Sequence, residues 1–171
     1  EAYQLIDTDK LAEFKWLTGL RLLVATPSDQ IEPVLFAIVE QLNAGIEFCQ
    51  GEHQQTLIKL NIQAANKAKR SSAYGLAQSL LLKAKQLSDN IGQVLELDVY
   101  LSLAEVSYMI GDFELSENLY PQAMDIAKTV LEQVSIYAVQ TAQYQIQGRF
   151  IEAIQLQRQG LLALGIDIPS D

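Results

Sequence analysis

The sequence predicts an all-α protein built as a stacked array of about four antiparallel helix pairs, and three observations support this fold class. A short motif occurs at residues 72–77, 111–116 and 148–153: a small residue, an aromatic residue two positions later, and a second small residue three positions after that. Its aromatic residues are 39 residues (74 to 113) and 37 residues (113 to 150) apart, a period typical of stacked helical repeats. Apolar residues between the motifs recur at helical spacing, and no segment alternates like a strand between turn signals.

The first two predicted pairs cover residues 9–50 and 54–88. In the first pair, helices at about residues 9–24 and 30–49 are separated by the turn residues 26–29, and Gly51 is expected to end the second helix. In the second pair, helices begin at about residue 54 and at Ser71 or Ser72. Residues 88–92 are expected to form a loop, because Ser, Asp, Asn and Gly favour turns.

The last two predicted pairs cover residues 93–130 and 131–165. Gly111 is suited to a left-handed position after a helix, and Asp112 is suited to cap the next one. Pro121 lacks an amide proton and is expected to kink or break its helix. Together the four pairs predict one helical-repeat domain over residues 1–171, and the absence of a starting Met suggests an excised piece of a larger protein.

Small residues recur twelve positions apart in successive helices, where two backbones would need to approach closely. The pairs are Ala65 and Ala77, Ala104 and Ser116, and Thr141 and Ala153, with Ala84, Ala123 and Gly160 seven residues further on. The motif aromatics Tyr74, Phe113 and Phe150 are expected to fill the space between pairs. Each pair is then expected to leave an apolar face that the next pair covers.

Composition excludes several classes of function. The net charge of −9 disfavours nucleic-acid binding and attachment to anionic membranes, since both need a basic face. No run approaches the roughly 20 apolar residues of a membrane span. The single cysteine, Cys49, cannot form an internal disulfide, is expected to be a small apolar filler, and points to a cytoplasmic location. The acidic residues Glu114 and Glu117 are expected to form a solvated face.

The sequence contains no constellation that indicates catalysis. His53 is the only histidine and is expected in an exposed loop without metal-ligand partners. Neither a phosphate-binding Gly-rich loop with Lys-Ser/Thr nor a kinase motif set is present. We therefore predict a chain that is not itself an enzyme, with no catalytic residue, cofactor or metal site.

Residues 103–120 resemble a tetratricopeptide repeat, with Gly111, Asp112 and Phe113 at the turn between its helices. The standard period is 34 residues, and the Trp and closing Pro of that repeat are missing. The resemblance implies a right-handed superhelix with a concave binding face. By the repeat register, the candidate binding residues on that face are Lys59, Asn66, Lys69, Asp98, Leu101, Glu105, Tyr108 and Gln145. Ile62 occupies the position of a clamp lysine, which argues against binding of a partner's terminal carboxylate.

A second resemblance covers nearly the whole chain. The strings at residues 19–23, 36–43, 60–64 and 67–74 are similar to the helical region of very large cyanobacterial-type signalling kinases. In that family a Ser/Thr kinase domain and an ATPase domain precede this region, and a GAF domain and a two-component histidine kinase follow it. The resemblance implies a non-catalytic interaction or relay segment, whose partners are proteins or neighbouring domains of the same chain, with a homodimer as a further option.

Two other functions remain open at the level of sequence. A stand-alone adaptor would bind a short peptide in the concave groove. A small-molecule sensor would use tyrosines such as Tyr100, Tyr108 and Tyr144 to line that groove.

Overall fold

The computed structural model describes residues 8–167, and over this range the chain is helical without any strand, which confirms the all-α prediction. Pro169 lies outside the described residues. The eight α-helices are α1 Thr8–Ala25, α2 Ile31–Ala44, α3 Glu52–Arg70, α4 Tyr74–Asn90, α5 Leu97–Met109, α6 Phe113–Ile126, α7 Val130–Ile146 and α8 Phe150–Ala163. Two short 3₁₀ helices occupy Ser28–Gln30 and Ile46–Phe48.

The chain forms two compact units. The first unit contains the described residues up to Ser72 together with Ser79–Val94, and the second contains Ala73–Gln78 and the described residues from Leu95 onward. Helix α4 therefore contributes its first turn to one unit and the rest of its length to the other.

In the first unit, α1 packs against α2 and α2 against α3 around a buried aliphatic core. Helix α2 ends at Ala44, so the prediction that it reaches residue 49 and stops at Gly51 is wrong. The backbone leaves the helical conformation at Gly45, which has φ −121° and ψ 35°, and α1 approaches closely at the same residue. A Cβ atom there would lie 2.4 Å from the Ala12 carbonyl oxygen and 2.7 Å from the Trp16 Cβ, so only glycine fits.

The predicted loop at residues 88–92 is wrong over its first three residues, which continue α4 to Asn90. Ser88 is fully buried, and its hydroxyl donates to the Gln93 carbonyl oxygen. Gly92 then takes a φ of 65°, and the Gln93 amide donates to the Ser88 carbonyl oxygen. A buried serine that caps the helix end thus extends a helix that turn propensity alone would stop.

Three helix starts also differ from the predictions. Helix α3 begins at Glu52, which places His53 in its first turn rather than in a loop, exposed and in edge contact with the Trp16 ring 5.8 Å away. Helix α4 begins at Tyr74 instead of Ser71 or Ser72. Helix α5 begins at Leu97, about four residues later than predicted.

In the second unit, α5 packs against α6, α7 packs against α8, and α7 also contacts both α5 and α6. Gly111 and Gly148 have φ values of 86° and 74° in the turns between paired helices, as the sequence predicts for Gly111. The Asp112 carboxylate accepts the Leu115 amide and caps α6, also as predicted. Helix α6 continues through Pro121, whose ring is exposed, so the helix is not broken there.

The small residues predicted at helix crossings are all buried. At the α5–α6 crossing the Ser116 hydroxyl donates to the Ala104 carbonyl oxygen at 2.9 Å, which shows how closely the two backbones approach. The prediction for the motif aromatics is wrong for two of them. Phe113 and Phe150 are the first residues of α6 and α8 and remain 50% and 62% exposed, with Phe113 packed beside Tyr108 at the turn.

Across residues 8–167 no single helix has the length and apolar character needed to cross a membrane. The bent pair Lys10–Ala25 and Ser28–Ala44, with 114° between its halves, meets those criteria only when its two helices are taken together.

Candidate functional site

A polar cluster centred on Glu117 attaches α7 to α6. The Glu117 carboxylate accepts the Tyr144 hydroxyl at 2.7 Å and the Arg149 guanidinium at 3.0 Å. Arg149 also lies over the Tyr144 ring, 3.8 Å from its centre, and pairs with Glu152 at 3.0 Å. Gln140 donates to the Tyr144 hydroxyl oxygen at 2.9 Å. We call these five residues the Glu117 cluster. Within it the Tyr144 hydroxyl donates to Glu117 and accepts from Gln140.

The charges of the Glu117 cluster support one another. Burial, and then the hydrogen bond and charge of Glu117, raise the pKa of the Tyr144 hydroxyl, so this group stays protonated and donates. The hydrogen bond from Arg149 lowers the pKa of Glu152, and the same bond raises the pKa of Arg149. These pKa shifts favour a protonated Tyr144 and a charged pair of Arg149 and Glu152, the forms that make the hydrogen bonds between α6, α7 and α8.

A second polar contact lies deeper between α6 and α7. Ser116 is fully buried, and its oxygen lies 3.0 Å from the Gln143 side-chain amide. The structure places Gln143 Oε1 beside the serine oxygen and leaves its Nε2 without a partner. Because the single Ser116 proton goes to the Ala104 carbonyl oxygen, we assign the amide the other way round, with its NH₂ group donating to the serine oxygen. Tyr120 lies buried in the same region, and burial raises the pKa of its hydroxyl. Gln143 is thus the side chain through which α7 reaches the α5–α6 crossing.

The α7–α8 groove is an open apolar channel of about 420 Å³ along the second unit's last helix pair. Its lining residues are Val134, Tyr137, Ala138, Thr141, Ala142, Gln145, Leu156, Gln157, Gly160, Leu161 and Leu164. Gly160 lines the groove beside Tyr137, and a Cβ atom at Gly160 would lie in ordinary contact with the Tyr137 ring, 3.6 Å away. The size and apolar character of the groove suit a row of two or three apolar side chains or a small apolar ligand.

Large apolar side chains are exposed where α7 ends and α8 begins. Ile146, Phe150, Ile151 and Ile154 are between 56% and 75% exposed. Exposed apolar side chains close together in the chain are candidates for an interaction surface.

The eight predicted concave-face residues fall into both units. Lys59, Asn66 and Lys69 lie on α3 in the first unit, with Lys59 and Asn66 exposed. Asp98, Leu101, Glu105 and Tyr108 lie in the second unit at a spacing that places them on one face of α5. Gln145 lines the α7–α8 groove, and it is the only one of the eight predicted residues that does. Whether the eight residues bind anything stays a prediction.

Sequence reasoning missed the Glu117 cluster and assigned Glu117 to a solvated face, which is wrong because this carboxylate bonds to α7 and Arg149. The partners lie 27 and 32 residues from Glu117 in the chain, and no local pattern links them. The tyrosine that lines the α7–α8 groove is Tyr137. Of the tyrosines proposed for the concave groove, Tyr100 and Tyr144 are buried and Tyr108 packs on Phe113, and a ligand role for them stays a prediction.

Comparison with known proteins finds a similarity to a signalling protein. The chain is 28% identical over 156 residues to hybrid signal transduction histidine kinase G of Dictyostelium discoideum, an alignment that covers 80% of this chain. The chain spans about 4% of the length of that relative. No family model and no solved structure matches the chain.

Proposed function

We propose that this chain is a non-catalytic helical-repeat segment of a multidomain signal-transduction kinase, where it binds or relays between other domains. The observation that carries the proposal is the distant similarity to a hybrid histidine kinase over most of the chain but a small fraction of that protein. Catalysis then belongs to other parts of the polypeptide, Ser/Thr kinase and histidine kinase domains among them.

The helical architecture supports a binding or relay role. Paired helices with buried small residues at their crossings, and tight glycine turns between them, are typical of tetratricopeptide-like arrays, which work by presenting surface. The exposed apolar residues of α7 and α8 supply such a surface. In this proposal the array is a right-handed superhelix located in the cytoplasm.

The test is regulated kinase output from the parent polypeptide. Removal of this segment with a flexible replacement linker is expected to leave basal autophosphorylation measurable but to abolish its response to the stimulus. An unchanged response in the deletion variant would rule out the relay role. The matched control replaces an equally long linker elsewhere in the parent.

A peptide-binding adaptor is the second candidate, and the α7–α8 groove favours it because it is apolar and open. If the concave face binds an acidic peptide instead, charge reversal at the exposed Lys59 and at Lys69 is expected to weaken capture. Unchanged capture in the Lys59→Glu, Lys69→Glu variant would exclude the basic face of α3 as the binding surface.

A further inference from the structure

The second unit contains two successive helix pairs, α5–α6 and α7–α8, and the first pair is covered by a further helix. Helix α7 lies on the α5–α6 pair and contacts both of its helices. The α7–α8 pair repeats the α5–α6 pair 37 residues later, with Thr141, Ala153 and Gly160 at the positions of Ala104, Ser116 and Ala123. Within the described residues no helix occupies the place on α7–α8 that α7 occupies on α5–α6.

The two pairs differ at Glu117, which contacts the covering helix, and at the exposed Glu114 one turn before it. Glu117 of α6 bonds to Tyr144 of α7, and its equivalent on α8 is Ile154, which is 56% exposed. Glu114 is likewise replaced by Ile151, which is 73% exposed. Two carboxylates on the covered pair thus become two exposed isoleucines on the open pair. A helix that covers α8 therefore needs apolar side chains where α7 carries Gln140 and Tyr144.

Each of the two crossings carries one hydroxyl group, on the second helix of the first pair and on the first helix of the second pair. At the first crossing Ser116 carries the hydroxyl opposite Ala104 and meets the Gln143 amide of α7. At the second crossing Thr141 carries the hydroxyl opposite Ala153. Thr141 is 5% exposed, lines the α7–α8 groove, and its hydroxyl has no hydrogen-bond partner among the described residues. A buried hydroxyl without a partner is costly, and a side chain from a covering helix would satisfy it.

We propose that the open face of the α7–α8 pair, which includes Thr141 in the groove and Ile151 and Ile154 on α8, is the docking site for an amphipathic helix of the same parent polypeptide that lies outside residues 1–171. This helix presents two apolar side chains to Ile151 and Ile154 and one amide or hydroxyl side chain to Thr141. The inference rests on the proposed function, in which this chain is a segment of a much longer kinase. A helix tethered in the same polypeptide has a high effective concentration, whereas a second copy carries the same net charge of −9 and is repelled.

A synthetic helix derived from α7 provides a defined probe. The peptide copies residues 129–147, which retains the capping pair Thr129 and Glu132, and carries Gln140→Leu and Tyr144→Leu to match the isoleucines of α8. Fluorescence anisotropy measures its binding to the full 171-residue chain. We expect the modified peptide to bind and the unmodified α7 peptide to bind more weakly, because its polar groups would face Ile154.

Two variants of the chain locate the binding site. Ile154→Glu places a charge in the apolar contact and is expected to weaken peptide binding about tenfold or more. Val94→Glu, at a position in the first unit that is 65% exposed, is the matched control and is expected to bind normally. Circular dichroism of both variants checks that the helices are retained, which is expected because both positions are solvent-exposed.

Thr141→Val tests the polar part of the proposal. It is expected to weaken binding of the peptide that retains Gln143, but not of a peptide that also carries Gln143→Leu. Absence of binding, or binding that Ile154→Glu leaves unchanged, would overturn the docking site. Concentration-dependent self-association in sedimentation velocity that Ile154→Glu abolishes would identify a second copy as the occupant and also overturn it. Kinase output of the parent tests the proposed function separately, so the two failures are distinguishable.

Discussion

At the scale of single residues, Gly45 and Gly160 differ in what an added methyl group would meet. At Gly160, inside α8, a Cβ would lie 3.6 Å from the Tyr137 ring, which is ordinary contact. Gly160→Ala is therefore expected to stabilise the protein by about 0.5–1 kcal/mol, because alanine loses less backbone entropy in a helix. Urea unfolding followed by far-UV circular dichroism measures the change.

Gly45→Ala provides the opposite case. Its Cβ would overlap the Ala12 carbonyl oxygen and the Trp16 Cβ, so α1 and α2 must move apart. We expect a loss of about 1–3 kcal/mol, as for other overpacked contacts. Trp16 is the chain's single tryptophan, so its fluorescence reports this unfolding transition directly. A loss of stability in Gly160→Ala, or none in Gly45→Ala, would contradict the backbone distances at these two crossings.

At the scale of the helix, α7 begins with a complete capping box. The Thr129 hydroxyl accepts the Glu132 amide at 3.2 Å, and the Glu132 carboxylate accepts the amides of Thr129 and Lys128 at 2.8 and 2.7 Å. These backbone donors lower the pKa of Glu132 below its ordinary 4.5. The charged carboxylate thus stabilises the start of the helix that contacts both α5 and α6.

The lowered pKa of Glu132 predicts an acid-dependent loss of stability. A carboxylate whose pKa is lower in the folded state stabilises it above the unfolded pKa, and this contribution is lost as the pH falls through the folded value. Glu132→Gln retains the oxygen acceptor but cannot titrate, so its stability is expected to fall less than that of the wild type between neutral pH and below pH 4.5. Chemical denaturation at both pH values measures the difference.

Glu114→Gln is the matched control, since it removes the same charge from the first turn of α6 without a capping box. Its acid-dependent loss of stability is expected to follow the wild type more closely than that of Glu132→Gln does. If both variants lose equally little stability on acidification, the net charge of the chain, and not the capping contact of Glu132, causes the pH dependence of stability.

The helix ends show which features of the fold can be predicted from the sequence and which cannot. The turns at Gly111 and Asp112 were predictable because a glycine at positive φ and a capping carboxylate act within a few residues. The end of α2 at Ala44 was not, since the close approach of α1 to Gly45 joins residues about thirty positions apart in the chain. The site follows the same rule. The small residues at the crossings follow from their spacing, whereas the Glu117 cluster joins residues that share no local pattern.

At the scale of the whole molecule, the division into two compact units predicts that helices unfold locally, one unit at a time. In linear helical arrays each element gains its stability from its immediate neighbours. Gly45→Ala in the first unit is therefore expected to accelerate amide hydrogen exchange in α1 and α2 and to leave α7 and α8 unchanged. Glu117→Gln weakens the contacts that hold α7 on α6, so it is expected to accelerate exchange in α6–α8 and not in α1 or α2.

Helix α4 is the informative element in the same experiment, because its residues belong to both units. Its first turn belongs to the second unit, where Gln78 donates hydrogen bonds to Ser107 and to Asp112. We expect amides of α4 to respond to both substitutions, whereas those of the other helices respond to one. Equal acceleration in all eight helices from either substitution would show a single cooperative body and would contradict local opening.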